Sequence, residues 1–181
     1  MKEEFTISAF TENHIGVLNR ITIIFTRRHI NIESMTTSAS ALEGIHKFTI
    51  VINETEEQVI KVVKQIEKQV EVLRAFYYRN NEIVHQEIAM YKVPTEALTS
   101  SDQIESIIRR YNARILEVTA DFTVIEKTGH KQETQSLFKE LNQFEVLQFT
   151  RSGRISITKA SVERLSDYLK KIDYKTNNNT N

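Results

Sequence analysis

From Phe5 to Phe76 the spacing of apolar residues changes in one order: strand-like, helical, strand-like twice, helical, strand-like. That succession constrains the fold more than any other feature of the chain. Phe5-Thr6-Ile7-Ser8-Ala9-Phe10 alternates apolar and small polar residues, as a half-buried strand does. Val17, Leu18, Ile21, Ile24 and Phe25 then recur at steps of three and four, which predicts an amphipathic helix starting at Gly16. Asn31 to Ser40 reads as a second strand. Glu43-Gly44 marks a turn, and Ile45, Phe48, Ile50 and Ile52 predict a third strand. A second helix carries Val59, Val62, Val63, Ile66 and Val70 on one stripe. Thr55-Glu56-Glu57-Gln58 opens it with the spacing of a capping box. Val70 to Phe76 returns to strand character.

The order β-α-β-β-α-β is that of a ferredoxin-like unit, two helices on one face of an antiparallel sheet. Arg79-Asn80-Asn81-Glu82 is a polar break, and after it the order recurs. Ile83 to Val93 reads as a strand, and Ile104, Ile107, Ile108 and Tyr111 as a helical stripe. Ile115 to Val118 and Phe122 to Ile125 read as strands, Leu137, Phe138 and Leu141 as a helix, and Phe144 to Phe149 as the closing strand. A short strand at Ile155 and Ile157 and a polar amphipathic segment around Leu165, Leu169 and Ile172 follow. The expected fold is α+β, two ferredoxin-like βαββαβ domains in tandem. Their expected bounds are residues 1–79 and 83–158, with a polar extension over 159–181 whose Asn/Thr-rich end is disordered.

Composition removes several function classes. Lys plus Arg number 24 and Asp plus Glu number 24, giving a formal net charge of zero. That balance lacks the basic surplus that nucleic acid or an anionic membrane surface demands. There is no cysteine, so thiolate nucleophiles, disulfides and cysteine–metal sites are out. Met1-Lys2-Glu3-Glu4 does not read as a secretory leader, and no apolar run is long enough to span a bilayer, so a cytoplasmic protein is expected. His14, His29, His46, His85 and His130 show no metal-ligand spacing. Arg27-Arg28 and Arg109-Arg110 close helices, where positive charge suits the dipole. No Ser/His/Asp order, paired-carboxylate signature or phosphate loop stands out.

Two places carry possible chemistry. In Asn13-His14-Ile15-Gly16-Val17-Leu18, a glycine at a strand-to-helix junction lets the backbone approach a ligand, and free N–H groups of the first turn suit a carboxylate. The plainer reading is that Asn13 caps the helix and Gly16 makes the bend. Asn31, before Ile32-Glu33-Ser34, offers a donor and an acceptor that match the ammonium and carboxylate groups of an amino acid. It serves equally well as a turn residue.

These same segments, Asn13 to Leu18 and Asn31-Ile32-Glu33-Ser34-Met35-Thr36, resemble an ACT domain, and more narrowly the small subunit of acetolactate synthase (acetohydroxyacid synthase). Val70-Glu71-Val72-Leu73-Arg74, Glu87 to Val93, Glu117-Val118-Thr119 and Phe149-Thr150-Arg151-Ser152-Gly153 extend the likeness in order along the chain. The resemblance implies a regulatory homodimer, joined through its ACT domains, that binds a branched-chain amino acid, usually valine. It implies a catalytic large subunit as partner, carrying thiamine diphosphate, Mg and FAD, with no cofactor on this chain. That subunit is activated by the small one and acquires feedback inhibition from it. By position, the effector contacts fall on Asn13, His14, Ile15, Gly16, Val17, Leu18, Asn31 and Ile32. The family commonly has an acidic and then a small residue where this chain has His14 and Ile15, and Ser38 to Glu43 is shortened against its pattern. The rival reading is a free-standing ACT-type sensor that controls another enzyme or transcription.

Overall fold

The computed structural model describes residues 1–99 and 103–162, together with Leu165 and Leu169. The described residues divide into two compact units: residues 1–84 together with those from 156 onward, and those within 85–155. Each contains a ferredoxin-like arrangement.

The first unit runs β1 (Glu3–Glu12), α1 (Val17–Arg27), β2 (Ile32–Ala39), β3 (Ile45–Glu54), α2 (Glu56–Ile66) and β4 (Val72–Arg79). Its antiparallel sheet has the order β2-β3-β1-β4, so the first strand lies inside and β2 and β4 are edges. Phe5, Ile7 and Ala9 of β1 meet Val17, Ile21, Ile24 and Phe25 of α1 and Val59, Val62, Val63 and Ile66 of α2 in one core. The helical period explains the choice of residues, since each set occupies one stripe of its helix.

Several expectations are corrected here. β1 is buried on both faces, not one: Thr6, Ser8 and Thr11 are as inaccessible as Phe5 and Ile7. The Ser156 carbonyl accepts a hydrogen bond from Lys47 Nζ at 2.9 Å. Leu18 is about half exposed although it falls only about 20° around the helix from the buried Phe25, because it stands two turns earlier, in the first turn of α1. Val70 is also fully exposed. It belongs to the turn after α2 ends at Ile66, and the strand begins only at Val72. The capping box does not form: Thr55 makes no side-chain cap bond, its N–H goes to Glu54 Oε2 at 3.1 Å, and Gln58 Oε1 receives Arg28 instead.

A 3₁₀ turn over Asn80–Glu82 follows β4, with Glu82 Oε2 accepting from the Arg79 N–H at 2.7 Å. Next come β5 (Ile83–Pro94), α3 (Thr95–Thr99), α4 (Gln103–Arg110), β6 (Arg114–Val118), β7 (Phe122–Gly129), α5 (Lys131–Leu141) and β8 (Gln148–Arg151). The sheet order β6-β7-β5-β8 repeats that of the first unit, and a short β9 (Ile155–Thr158) pairs with β5. The core is built from Ala89, Tyr91, Val93, Ile104, Ile107, Ile108, Ile125, Leu137 and Leu141. Tyr91 is fully buried and donates its hydroxyl to the Thr134 carbonyl at 2.7 Å, and burial pushes its phenol far up. The short α3 is unforeseen. Phe144 to Phe149 is not one strand: a 3₁₀ turn over Asn142–Phe144 precedes β8, which starts at Gln148. The predicted disordered end, Lys175 to Asn181, lies outside the described residues, as does Ile172.

Candidate functional site

β1 stops at Glu12, and four residues turn the chain into α1. The Asn13 N–H donates to the Gly44 carbonyl at 3.2 Å, His14 N–H to Glu12 at 3.0 Å, and Val17 N–H to His14 at 3.3 Å. Gly16 then adopts φ 89°, ψ −7°, in the left-handed region that L side chains rarely enter. A side chain there would be strained by the backbone alone, and its Cβ would stand 3.4 Å from Arg20 Nη1.

The first helical bond runs from Arg20 N–H to the Gly16 carbonyl at 3.0 Å, which leaves the amides of Leu18 and Asn19 ahead of the ladder. Gly16, not Asn13, occupies the cap position. No side chain caps the helix, and its first turn carries no acid. The terminus therefore presents bare N–H donors and the positive end of the dipole to solvent. Ile15 is fully exposed beside it, and Leu18 about half exposed, so apolar side chains flank the amides.

Val17 and Ile32 belong to the core or pack on it, while Asn13, His14, Ile15, Gly16, Leu18 and Asn31 are exposed. His14 Nε2 stands 3.6 Å from Glu12 Oε2. The Asn31 amide nitrogen donates to Glu33 Oε1 at 3.1 Å. Sheet register separates the two segments within one chain. Ile32 pairs with Ile52, which pairs with Phe5, whereas the junction lies beyond Thr11 and His46 at the other end. Six residue steps along β1 separate Phe5 from Thr11, about 20 Å of strand.

Arg20 stands beside this candidate site, and no motif in the sequence marks it. Its guanidinium donates to the Glu71 carboxylate, just ahead of β4, and so ties the first turn of α1 to that strand. Only its position four residues after a junction glycine could have pointed to it. Two histidines distant in sequence also meet, with His130 Nδ1 3.1 Å from His85 Nε2. Among the described residues no three His, Asp or Glu side chains gather as a metal site, and no helix is long and apolar enough to cross a membrane.

Tandem βαββαβ units, the first with an uncapped, glycine-bent helix terminus, define an ACT-type protein. A family model described as AHAS small subunit-like ACT domain matches residues 7–74, and one described as Small subunit of acetolactate synthase matches residues 86–160. The chain belongs to the acetolactate synthase small-subunit family. It is 32% identical over 167 residues to the acetolactate synthase small subunit of Bacillus subtilis, covering 92% of this chain and 95% of that one. Its counterpart in Mycobacterium leprae is 30% identical over 154 residues, with 85% and 90% covered. The crystal structure of the small subunit from Thermotoga maritima has the same fold, with a TM-score of 0.80 at 24% identity over 88% of this chain and 99% of that one.

Proposed function

We propose that this chain is the non-catalytic regulatory subunit of acetolactate synthase, sensing a branched-chain amino acid, valine first, and setting the activity of the catalytic large subunit. The observation that carries the sensing role is the uncapped N-terminus of α1, where Gly16 lets a carboxylate reach amides that no side chain caps. Ile15 and Leu18 offer apolar contact to an aliphatic side chain beside those amides.

Asn31 joins this site from a second chain. β2 is an edge strand, and two such strands pairing antiparallel about a twofold axis would bring the start of one beside the end of the other. Residues 1–79 are the sensing domain in this reading, and 83–158 the second domain. Thiamine diphosphate, Mg and FAD reside on the catalytic subunit, and this chain contributes no group to the chemistry.

The test is to purify the chain with the catalytic subunit of its own organism and to titrate one against the other. Activity should rise to a plateau with added chain and fall when valine is then added. An unchanged rate over the full titration would overturn the regulatory assignment and leave a free-standing amino-acid sensor.

A further inference from the structure

On the side away from the sheet, α1 and α2 leave a groove of about 390 Å³ between them. Ile23, 40% exposed, and Ile24 form its apolar floor, with Arg20 and Arg27 along α1 and Lys68 just past α2. Arg20 is occupied by Glu71. Arg27 and Lys68 are exposed and hold no ion pair among the described residues. Arg28, next in sequence, is spent on Gln65 Oε1 at 2.7 Å. α1 contains no acidic residue, so the groove is positive in a chain whose net charge is zero. Arg27 alone would be explained by the negative end of α1's dipole. That account leaves Lys68 and the exposed Ile23, which line the same groove, unexplained.

We propose that this groove docks an acidic segment of the catalytic subunit, with an apolar side chain set on Ile23 and carboxylates facing Arg27 and Lys68. Charge complementarity selects the occupant. An acidic strip with an apolar tip satisfies both cations and covers Ile23, whereas a neutral segment would leave the cations unanswered. The inference rests on the regulatory reading above and adds where the two subunits meet. It also makes their association sensitive to salt, because exposed charges are screened beyond about 10 Å at 0.1 M.

The experiment measures affinity of the full-length chain for the purified catalytic subunit by calorimetry at low and at moderate salt. Arg27→Glu/Lys68→Glu should weaken binding about tenfold at low salt and flatten its salt dependence, as reversal of rim charges does. Arg27→Gln/Lys68→Gln should act in the same direction by about threefold. Lys139→Glu, a matched reversal in the last turn of α5, should bind like wild type. Valine titration of each variant checks that the sensing domain is folded, and if the reversal pair is not, the glutamine pair decides. Wild-type affinity and salt dependence in the glutamine and reversal pairs would overturn the proposal. So would an equal loss in Lys139→Glu, which would mean diffuse attraction only. If the wild-type chain itself neither binds nor activates the catalytic subunit, the regulatory reading fails and takes this inference with it.

Discussion

At the scale of the residue, the proposed sensing role predicts that substitutions at Gly16 and Asn31 separate effector binding from folding and activation. Gly16→Asp places a Cβ at a positive φ and a negative charge where a carboxylate would meet the α1 amides. Asn31→Ala removes an exposed side chain whose amide donates to Glu33 Oε1 at 3.1 Å. Loss of a hydrogen bond to a charged group costs about 1.5–3 kcal/mol, a decrease of roughly 10- to 100-fold in effector affinity. Neither position lies in the core, so both variants should fold and still activate the catalytic subunit while escaping feedback. Calorimetric titration with valine, leucine and isoleucine beside an activity assay reads both properties. Wild-type binding in both variants would place the pocket elsewhere.

A second residue-scale prediction concerns acid stability. Glu126 is buried, and the hydroxyl of Thr128 and then the Arg114 guanidinium hold its carboxyl below the ordinary value against the opposing effect of burial. A carboxyl depressed in the folded state stabilises the fold above its unfolded value and loses that contribution as pH falls through its folded value. Melting temperature should therefore drop from about pH 5 to pH 3 more steeply in wild type than in Glu126→Gln. Glu54, lowered chiefly by its hydrogen bond from Lys2, keeps a residual slope in the variant. Parallel melting curves for the two proteins would remove Glu126 from the account.

At the scale of the element, what was legible in the sequence follows how the signal arises. Burial stripes were legible because they repeat: Ile21 and Phe25, or Val59, Val62, Val63 and Ile66, each reinforce the others. Ends were not, since a stripe overruns its helix whenever the next apolar residue happens to fall in phase, as Val70 does in the turn after α2. Caps depend on competition among neighbours. Thr55 had the right spacing, but Glu54 reached its amide and Arg28 reached Gln58. The junction at Gly16 was legible as a bend with exposed amides, whereas Arg20 was hidden because its partner, Glu71, lies 51 residues away. α1 carries the exposed junction on a fully buried residue, Ile21, so the element can be tested by itself. Ile21→Ala should cost about 2–5 kcal/mol of stability, read by denaturant unfolding. Leu18→Ala, an exposed change on the same helix, should stay within about 0.5 kcal/mol. Equal losses in the two would mean that α1 is held by its surface and not by its stripe.

At the scale of the whole molecule, sheet register makes a demand on assembly that the residue-scale variants can test jointly. Gly16 and Asn31 stand at opposite ends of one sheet, about 20 Å apart along β1, so a ligand the size of an amino acid cannot touch both in one chain. If the sensing site uses both, it takes Gly16 from one chain and Asn31 from the other, and a twofold dimer holds two such sites. Co-expression of a Gly16→Asp chain with an Asn31→Ala chain then has a definite outcome. In each mixed dimer one site receives both lesions and the other receives neither. Random pairing should therefore restore about one quarter of all sites to wild-type affinity, since half of the dimers are mixed. Calorimetry on the co-expressed pair should show that high-affinity fraction, whereas each variant alone shows none. A site formed within one chain gives the opposite result, because every copy keeps its own lesion. Absence of any recovered fraction, with mixed dimers verified by two different affinity tags, would rule out the shared site and leave Asn31 as a turn residue ahead of β2.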